Sequence, residues 1–165
     1  MFPTVLIRCL LAAVALSVVA CASVAPPAPG PLTGGTRPAD AALAAEHRWL
    51  TQLFAGTPVA ITLQRDGQLG VEVPLDFAFD AGRANVKPPL AKVLDYLAQS
   101  ATRQIGTRLH VAAPADARGT PALALRRASA VRAYLAGKGV SPRRFSEPVA
   151  TERGGVSVRI EPAPG

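Results

Sequence analysis

The stretch LALRRASAVRAYLAGKGVSPRR, residues 123–144, decides the fold of this chain together with PLDFAFDAGRANVKPPLAKVLDYLA, residues 74–98. Each stretch holds apolar side chains at steps of three and four residues, which is the spacing of an amphipathic helix. Proline is favoured at the first position of a helix, and it stands at the start of both stretches, as Pro88-Pro89 and as Pro121 after Thr120. The pattern therefore predicts one helix over residues 88–103 and another over residues 120–137. The apolar residues concerned are Leu90, Val93, Leu94 and Leu97, then Ala124, Ala128, Val131 and Leu135.

Other segments alternate apolar and polar residues in the manner of half-buried strands. They are residues 59–63, 71–79, 109–111 and 156–160. Asp66-Gly67 between the first two is a strong hairpin signal, and Pro74 predicts a bulge or an edge within the second. The order of the elements predicts an α+β fold, a two-layer α/β sandwich in which helices pack on one face of a mixed sheet.

The same residues resemble a known family, the OmpA-like C-terminal domain, which also occurs in peptidoglycan-associated lipoproteins and flagellar-motor stators. Residues 74–98 are similar to the family's opening strand, its F-x-x-G/S-x-A turn and its K-P helix start. Residues 123–144 are similar to its L-S-x-x-R-A-x-x-V-x-x-Y-L helix and the G-[IV]-x-x-x-R that follows. The resemblance covers residues 67–161 and implies a divergent member of the family.

The resemblance implies non-covalent binding of peptidoglycan through its diaminopimelate stem peptide. Asp116 falls at the aspartate of the family's T-D-x-x-G loop, and Arg127 falls at the arginine of L-S-x-x-R-A. A carboxylate and a planar guanidinium are the groups that a zwitterionic ligand end requires. The resemblance therefore implies that Asp116 holds the ligand's ammonium group and Arg127 holds its carboxylate.

The chain also departs from the family around this site. The family's G-H-T-D is replaced by Ala113-Pro114-Ala115-Asp116, and the closing N-R-R-V-E-I is reduced to residues 155–160. Neutral hydrogen-bonding partners of the ligand are lost, at about 1 kcal/mol each. Two other roles stay open: Asp116 precedes a helix start and could act as a local cap, and Arg127 could be a solvated charge.

The N-terminus predicts export and a lipid anchor. MFPTVLIRCLLAAVALSVVAC holds one cation, Arg8, and then an apolar run that is too short to span a bilayer comfortably. Residues 18–21 resemble the lipobox of bacterial lipoproteins, which implies removal of residues 1–20 and lipidation, palmitate included, at Cys21. Cleavage without lipidation is the alternative. Ala22 favours the outer membrane over retention at the inner membrane.

The remaining chain divides by composition. Residues 21–38 are rich in proline and glycine and predict an extended tether, and residues 39–56 predict a helical segment. The resemblance implies that residues 57–162 form the OmpA-like domain. The helical segment is expected to pack on the domain, with partner binding as the alternative. Lysine and arginine outnumber aspartate and glutamate by 18 to 11, which favours anionic or zwitterionic partners.

Several kinds of function are not predicted. Glu72, Asp76 and Asp80 share the polar face of one strand, but no nucleophile or phosphate-binding loop accompanies them, so we predict no catalytic residues and no enzyme. His47 and His110 lie far apart in the sequence and have no nearby cysteine or acidic cluster, so no metal and no cofactor is expected. Nucleic acid is not expected as a partner of an exported protein.

The sequence thus predicts a non-enzymatic lipoprotein of the outer membrane that tethers the envelope to peptidoglycan through Asp116 and Arg127, with its domain in the periplasm. The alternative is a degenerate domain of the same fold that binds envelope proteins instead of the wall. That role would use residues 39–54 or a basic surface: Arg118, Arg126, Arg127, Arg132, Lys138, Arg143 and Arg144.

Overall fold

The computed structural model describes residues 38–163, so the predicted signal, the Cys21 lipidation site and most of the tether lie outside the described residues. Within these residues no helix is long and apolar enough to cross a membrane. The elements in chain order are α1 (Pro38–Leu53), β1 (Ala60–Leu63), β2 (Leu69–Val73), α2 (Leu75–Ala78), α3 (Pro88–Arg103), β3 (Thr107–Pro114), α4 (Pro121–Gly137), a 3₁₀ turn (Pro142–Arg144), β4 (Val149–Thr151) and β5 (Val156–Pro162).

The strands form one sheet in the order β1-β2-β5-β3-β4. The pairs β1–β2, β2–β5 and β5–β3 are antiparallel, and β3–β4 is parallel. The sheet is therefore mixed, and the predicted α+β fold is confirmed. The predicted hairpin is confirmed as well, because β1 and β2 pair across a turn in which Gly67 has a φ of +81°.

One face of the sheet carries the core. The alternating residues of β2, β3 and β5 that point to this face are buried, whereas Glu72, Arg108 and Arg159 on the opposite face are exposed. The helices fill the second layer with the apolar stripes that their spacing predicts, and Leu94, Leu97, Val131 and Leu135 are almost inaccessible to solvent. Burying such side chains contributes about 1.5–3 kcal/mol each and fixes both helices over the same face.

Helix α1 also belongs to this layer, where it packs next to β1 and β2 and contacts α3. Leu43 and Leu50 are fully buried, and Glu46 accepts a 2.7 Å ion-paired hydrogen bond from Arg103 of α3. The aromatic rings of Trp49 and Phe54 each pack edge-on against Tyr96. Residues 38–53 thus pack on the domain through both apolar and charged contacts.

The prediction of a strand that runs to Phe79 is wrong. The strand ends at Val73, because Pro74 has no N–H to donate to a neighbouring strand, and the chain then turns into the short helix α2. The Pro74 carbonyl accepts from the N–H of Phe77, and Phe77 is 45% exposed although its place in the alternation had suggested burial. Phe79 is buried after the turn and packs beneath the site described below.

Strand β4 and the 3₁₀ turn are findings that the sequence analysis does not predict. Val149–Thr151 pairs in parallel with the end of β3, opposite residues 112–114. The strand has three residues and no apolar alternation of its own, so its conformation depends on the pairing. It lies next to α4 and forms one side of the cleft described below.

The 3₁₀ turn places Arg144 across the C-terminal end of α3. Its guanidinium donates to the carbonyls of Ala101, Gln104 and Thr107 at 2.6–2.8 Å and also to the Thr107 hydroxyl. The last carbonyls of a helix lack partners within the regular helix, so this side chain adds charged donors to carbonyls at the end of α3 and in the residues that follow. Partial burial of the guanidinium lowers the pKa of Arg144.

Replacing Arg144 by methionine is expected to lower the free energy of unfolding by about 2–3 kcal/mol, since buried carbonyls lose charged donors. Urea denaturation at pH 7 measures the change. Arg143→Met is the matched control, because Arg143 is exposed and should change the free energy by less than about 0.5 kcal/mol. Equal effects of the two substitutions would contradict the capping role.

Candidate functional site

Arg127 is the only fully buried charged side chain among residues 40–163, with 0% exposure. It reaches from the first half of α4 to the loop before α3 and to the end of β3. Its Nε donates to the Arg83 carbonyl at 2.8 Å, its Nη1 to the Pro114 carbonyl at 3.1 Å, and its Nη2 to the Asp80 carbonyl at 3.1 Å. The guanidinium also lies 5.1 Å from the centre of the Phe79 ring.

Asp116 provides the counter-charge. Its Oδ1 accepts from Arg127 Nη2 at 2.7 Å, and its Oδ2 accepts from the Gly82 N–H at 2.7 Å. The Gly82 hydrogen bond, followed by the hydrogen bond from Arg127, lowers the pKa of Asp116 below its usual value. The carboxylate is therefore ionised at neutral pH, and 29% of the side chain remains exposed.

Two glycines shape the backbone around this pair. Gly82 has a φ of +67°, a left-handed conformation that aims its N–H at Asp116. The Gly119 N–H donates to the Asp116 carbonyl at 2.7 Å, and a Cβ added at Gly119 would lie 2.8 Å from the Ala115 Cβ and 2.9 Å from the Asp116 nitrogen. Only glycine fits in this tight turn, which explains the spacing of Asp116 and Gly119.

The structure thus brings the two predicted site residues together. Asp116 is not a local helix cap and Arg127 is not a solvated charge, which were the two alternative roles. Asp116 is not the cap of α4, because the Thr120 side chain accepts from the Leu123 N–H in that position. Arg127 is not a solvated charge, and it presents no accessible surface to a ligand. The pair joins the turn at residues 79–83 to the loop at residues 115–119.

A cleft of about 410 Å³ opens beside Asp116. It is bordered by the loop at residues 115–119, the first turn of α4 and strand β4. Sequence reasoning missed Thr151 and Glu152 in this wall, because they belong to the unpredicted strand and its end. The Thr151 hydroxyl is buried and has no hydrogen-bond partner among the described residues.

The basic surface predicted from residues 118–144 has fewer free cations than the sequence suggests, because several of these side chains are paired within the domain. Arg127 and Arg144 are committed to internal hydrogen bonds, and Lys138 forms a 2.8 Å ion pair with Asp95 of α3. This pair and a hydrogen bond from Tyr134 lower the pKa of Asp95. Arg118, Arg126 and Arg143 remain exposed.

The other titratable residues of the sequence analysis do not assemble a site. Glu72 accepts a 2.6 Å hydrogen bond from the Gly155 N–H, Asp80 lies 3.3 Å from Lys87, and His110 lies 2.6 Å from Glu161. Within residues 38–163 no group of three or more His, Cys, Asp or Glu side chains is placed to hold a metal ion. These contacts are local pairs on the polar face of the sheet and near the start of α3.

No protein-family model matches the sequence. No curated protein matches it either. Solved structures do match. A MotB-like protein from Desulfovibrio vulgaris superposes with a TM-score of 0.63 at 15% identity, over 75% of this chain and 94% of that one.

Two further structures give the same result. The cell wall anchor of the T6SS from Pseudomonas aeruginosa has a TM-score of 0.54 at 17% identity, over 75% of this chain and 96% of that chain. The periplasmic domain of Helicobacter pylori MotB has a TM-score of 0.53 at 15% identity, over 62% and 86% of the two chains. None of the three is named as an enzyme.

The chain therefore shares its fold with these three solved structures. More narrowly, its mixed sheet and packed helices are those of the OmpA-like domain, and the resemblance found in the sequence is confirmed at the level of the fold.

Proposed function

We propose that this protein is an envelope lipoprotein whose domain binds peptidoglycan non-covalently. The observation that carries the proposal is the Asp116 carboxylate, which is ionised, fixed by Gly82 and Arg127, and partly exposed beside a cleft. A fixed carboxylate in such a position suits the ammonium group of a stem peptide. The fold shared with a protein named as a cell wall anchor supports the same function.

In this proposal Arg127 is a positioning residue. It has no accessible surface, and its 2.7 Å hydrogen bond keeps Asp116 in place while its other donors hold the two loops together. The ligand touches Asp116, and Arg127 acts through it. This differs from the direct grip on a carboxylate that the family resemblance implies.

The test is co-sedimentation of the full chain, extracted from membranes in mild detergent, with purified diaminopimelate-containing sacculi. We expect the wild type to pellet with sacculi and soluble stem peptide to compete for it. Asp116→Asn should weaken pelleting by about tenfold or more, because one charge-assisted hydrogen bond is lost. Circular dichroism at the assay temperature checks that the variant is folded.

Failure of the folded wild type to pellet would refute wall binding. It would favour the alternative function, in which the domain binds envelope proteins. One observation already favours that alternative, namely that Arg127 offers no accessible donor to a ligand. Cross-linking in intact cells would then identify the partner.

We also propose that Cys21 is lipidated after removal of residues 1–20 and that the protein resides in the outer membrane with its domain in the periplasm. The lipobox-like residues 18–21 support this. In a Gram-negative host, radiolabelled palmitate should enter the wild type and be absent from Cys21→Ser. Density-gradient separation of the two membranes should place the labelled protein with the outer one. Label that persists in Cys21→Ser would contradict the assignment.

A further inference from the structure

A group of large apolar side chains lies exposed where α1 packs against α3. Trp49, the one tryptophan of the chain, is 38% exposed, and Leu53, which follows it by about one helical turn, is 39% exposed. Residues four apart lie on the same face of a helix, so these two side chains form a pair. Single exposed apolar residues are ordinary on a protein surface, whereas a contiguous group of them indicates a binding surface.

The group continues from Trp49 into an apolar pocket of about 260 Å³. The rings of Trp49 and Phe54 both pack edge-on against Tyr96. Phe54 also lines the pocket, together with the half-exposed Phe77. Aromatic side chains beside a pocket are typical anchors of protein interfaces. This surface, called the α1–α3 patch below, comprises Trp49, Leu53, Phe54, Phe77, Lys92 and Tyr96.

The charged groups that lie on the aromatic rings of the patch are cations. Lys92 Nζ lies 5.1 Å from the centre of the Tyr96 ring, and Lys92 also lines the pocket. The Arg103 guanidinium lies 5.6 Å from the centre of the Trp49 ring. A partner that covers these rings must therefore come close to both positive charges.

The acidic side chains near the patch do not neutralise Lys92. Glu46 is paired with Arg103 at 2.7 Å, and Asp95 is paired with Lys138 at 2.8 Å. Asp76, one position before Phe77, is exposed. Among the described residues Lys92 lies over the Tyr96 ring and forms no ion pair.

This charge distinguishes between the possible occupants of the patch. A second copy of the chain would present its own cations to Lys92, and like charges across an interface are unfavourable. The formal net charge of +7 opposes self-association in the same way. An acidic partner gains from both terms.

We propose that the α1–α3 patch docks an acidic amphipathic helix of another envelope protein. Such helices bind by placing apolar side chains one turn apart into a groove. One apolar side chain enters the pocket beside Phe77, the next packs on Trp49 and Leu53, and a carboxylate of the helix pairs with Lys92. Asp116 and Arg127 take no part, so the inference is independent of wall binding. It gives the alternative function, binding of envelope proteins, a defined surface.

The test is photo-cross-linking in cells that produce the protein natively, with p-benzoylphenylalanine in place of Leu53 in the full chain. The matched control carries the same group in place of Leu125, which is similarly exposed but lies on α4, outside the patch. We expect a cross-link at position 53 that is about fivefold or more stronger than at position 125, the effect of a contact of about 1 kcal/mol. Mass spectrometry of the cross-linked peptide should identify an acidic amphipathic segment. Equal yields at the two positions, or a cross-link to a second copy, to lipid or to a segment without acidic residues, would overturn the inference.

Lys92→Glu tests the charge of the patch. It should lower the cross-link at position 53 by about tenfold, because an attraction becomes a repulsion, whereas Lys92→Arg should retain it. Arg126→Glu changes the net charge equally at an exposed position on α4 and should have no effect. All three variants should pellet with sacculi as the wild type does, so a failure of docking is distinguishable from a failure of wall binding. If Lys92→Glu cross-links as strongly as Lys92→Arg, the partner is not recognised by its acidic charge and the inference is wrong.

Trp49 provides a direct readout of the same contact. The cross-linked segment, made as a synthetic peptide, should shift the tryptophan emission of the detergent-extracted full chain to shorter wavelengths, and the chain has no other tryptophan. Added salt should weaken this binding, since part of the attraction is between exposed charges. Binding that leaves the Trp49 emission unchanged would place the partner elsewhere on the domain and refute the assignment of the patch.

Discussion

Replacing Arg127 by methionine is expected to lower the free energy of unfolding by about 3–5 kcal/mol, because the substitution leaves Asp116 and several backbone carbonyls without their donor. Methionine retains most of the volume, so the change isolates the loss of hydrogen bonds and charge. The effect should lower the thermal midpoint by about 10–20 °C in a domain of this size. Thermal melting followed by circular dichroism at pH 7 measures it.

The neighbouring arginine is the control for this prediction. Arg126 is exposed on the same helix, so Arg126→Met removes an identical charge and should change the free energy by less than about 0.5 kcal/mol. Arg127→Lys should recover less than half of the loss, since one ammonium group cannot span acceptors on two loops. An Arg127→Met protein as stable as Arg126→Met would show that the guanidinium is not buried in solution.

The helices of this fold are predictable because local residues mark both their ends and their faces. Pro88 and Pro121 begin α3 and α4, and the apolar stripes that face the sheet are those that the spacing indicates. The strands β3 and β5 follow from alternation in the same way. Here local preference and tertiary packing favour the same conformation.

The predictions of secondary structure are wrong or missing where local preference and tertiary packing favour different conformations. Leu75, Phe77 and Phe79 alternate like a strand, but Pro74 removes a donor and the chain turns instead. Strand β4 is the opposite case, since it has no pattern and exists only because β3 offers it an edge. Sequence reasoning has no access to pairings of this kind.

The site was predictable only in part. The resemblance pointed to Asp116 and Arg127, and the structure joins them by a 2.7 Å contact. The resemblance could not reveal that Arg127 is fully buried. Three of the four hydrogen-bond partners of Arg127 are backbone carbonyls, and the sequence does not indicate where a backbone carbonyl will lie. Glu152, which follows β4 and borders the cleft, was missed because that strand was not predicted.

Asp116→Asn should destabilise the domain by about 2–4 kcal/mol at pH 7, and the size of this effect should depend on pH. Both oxygens of Asp116 accept hydrogen bonds, one from Gly82 and one from Arg127. An asparagine has only one acceptor oxygen, so its NH₂ group must face a donor. The buried guanidinium also loses its counter-charge.

The sign of the pH dependence follows from the pKa. Because the Gly82 N–H and Arg127 lower the pKa of Asp116 in the folded protein, the unfolded chain binds this proton more readily. The ionised carboxylate therefore contributes its full stability above the unfolded pKa of about 4, and the contribution is lost as the pH falls through the lower folded value. The difference between wild type and Asp116→Asn should be constant from pH 6 to 8 and should shrink below about pH 4.

Urea denaturation of both proteins at pH 7, 5, 4 and 3 measures this difference, and the other carboxylates cancel because both proteins contain them. Asp95→Asn provides the comparison. The pKa of Asp95 is also lowered, by Lys138 and Tyr134, so its effect should have the same sign. It should be smaller, because Asp95 and Lys138 are the more exposed pair and water screens their interaction. A difference between wild type and Asp116→Asn that stays constant down to pH 3 would mean that the Asp116 charge does not stabilise the loops, and that Arg127 holds them through the backbone carbonyls alone.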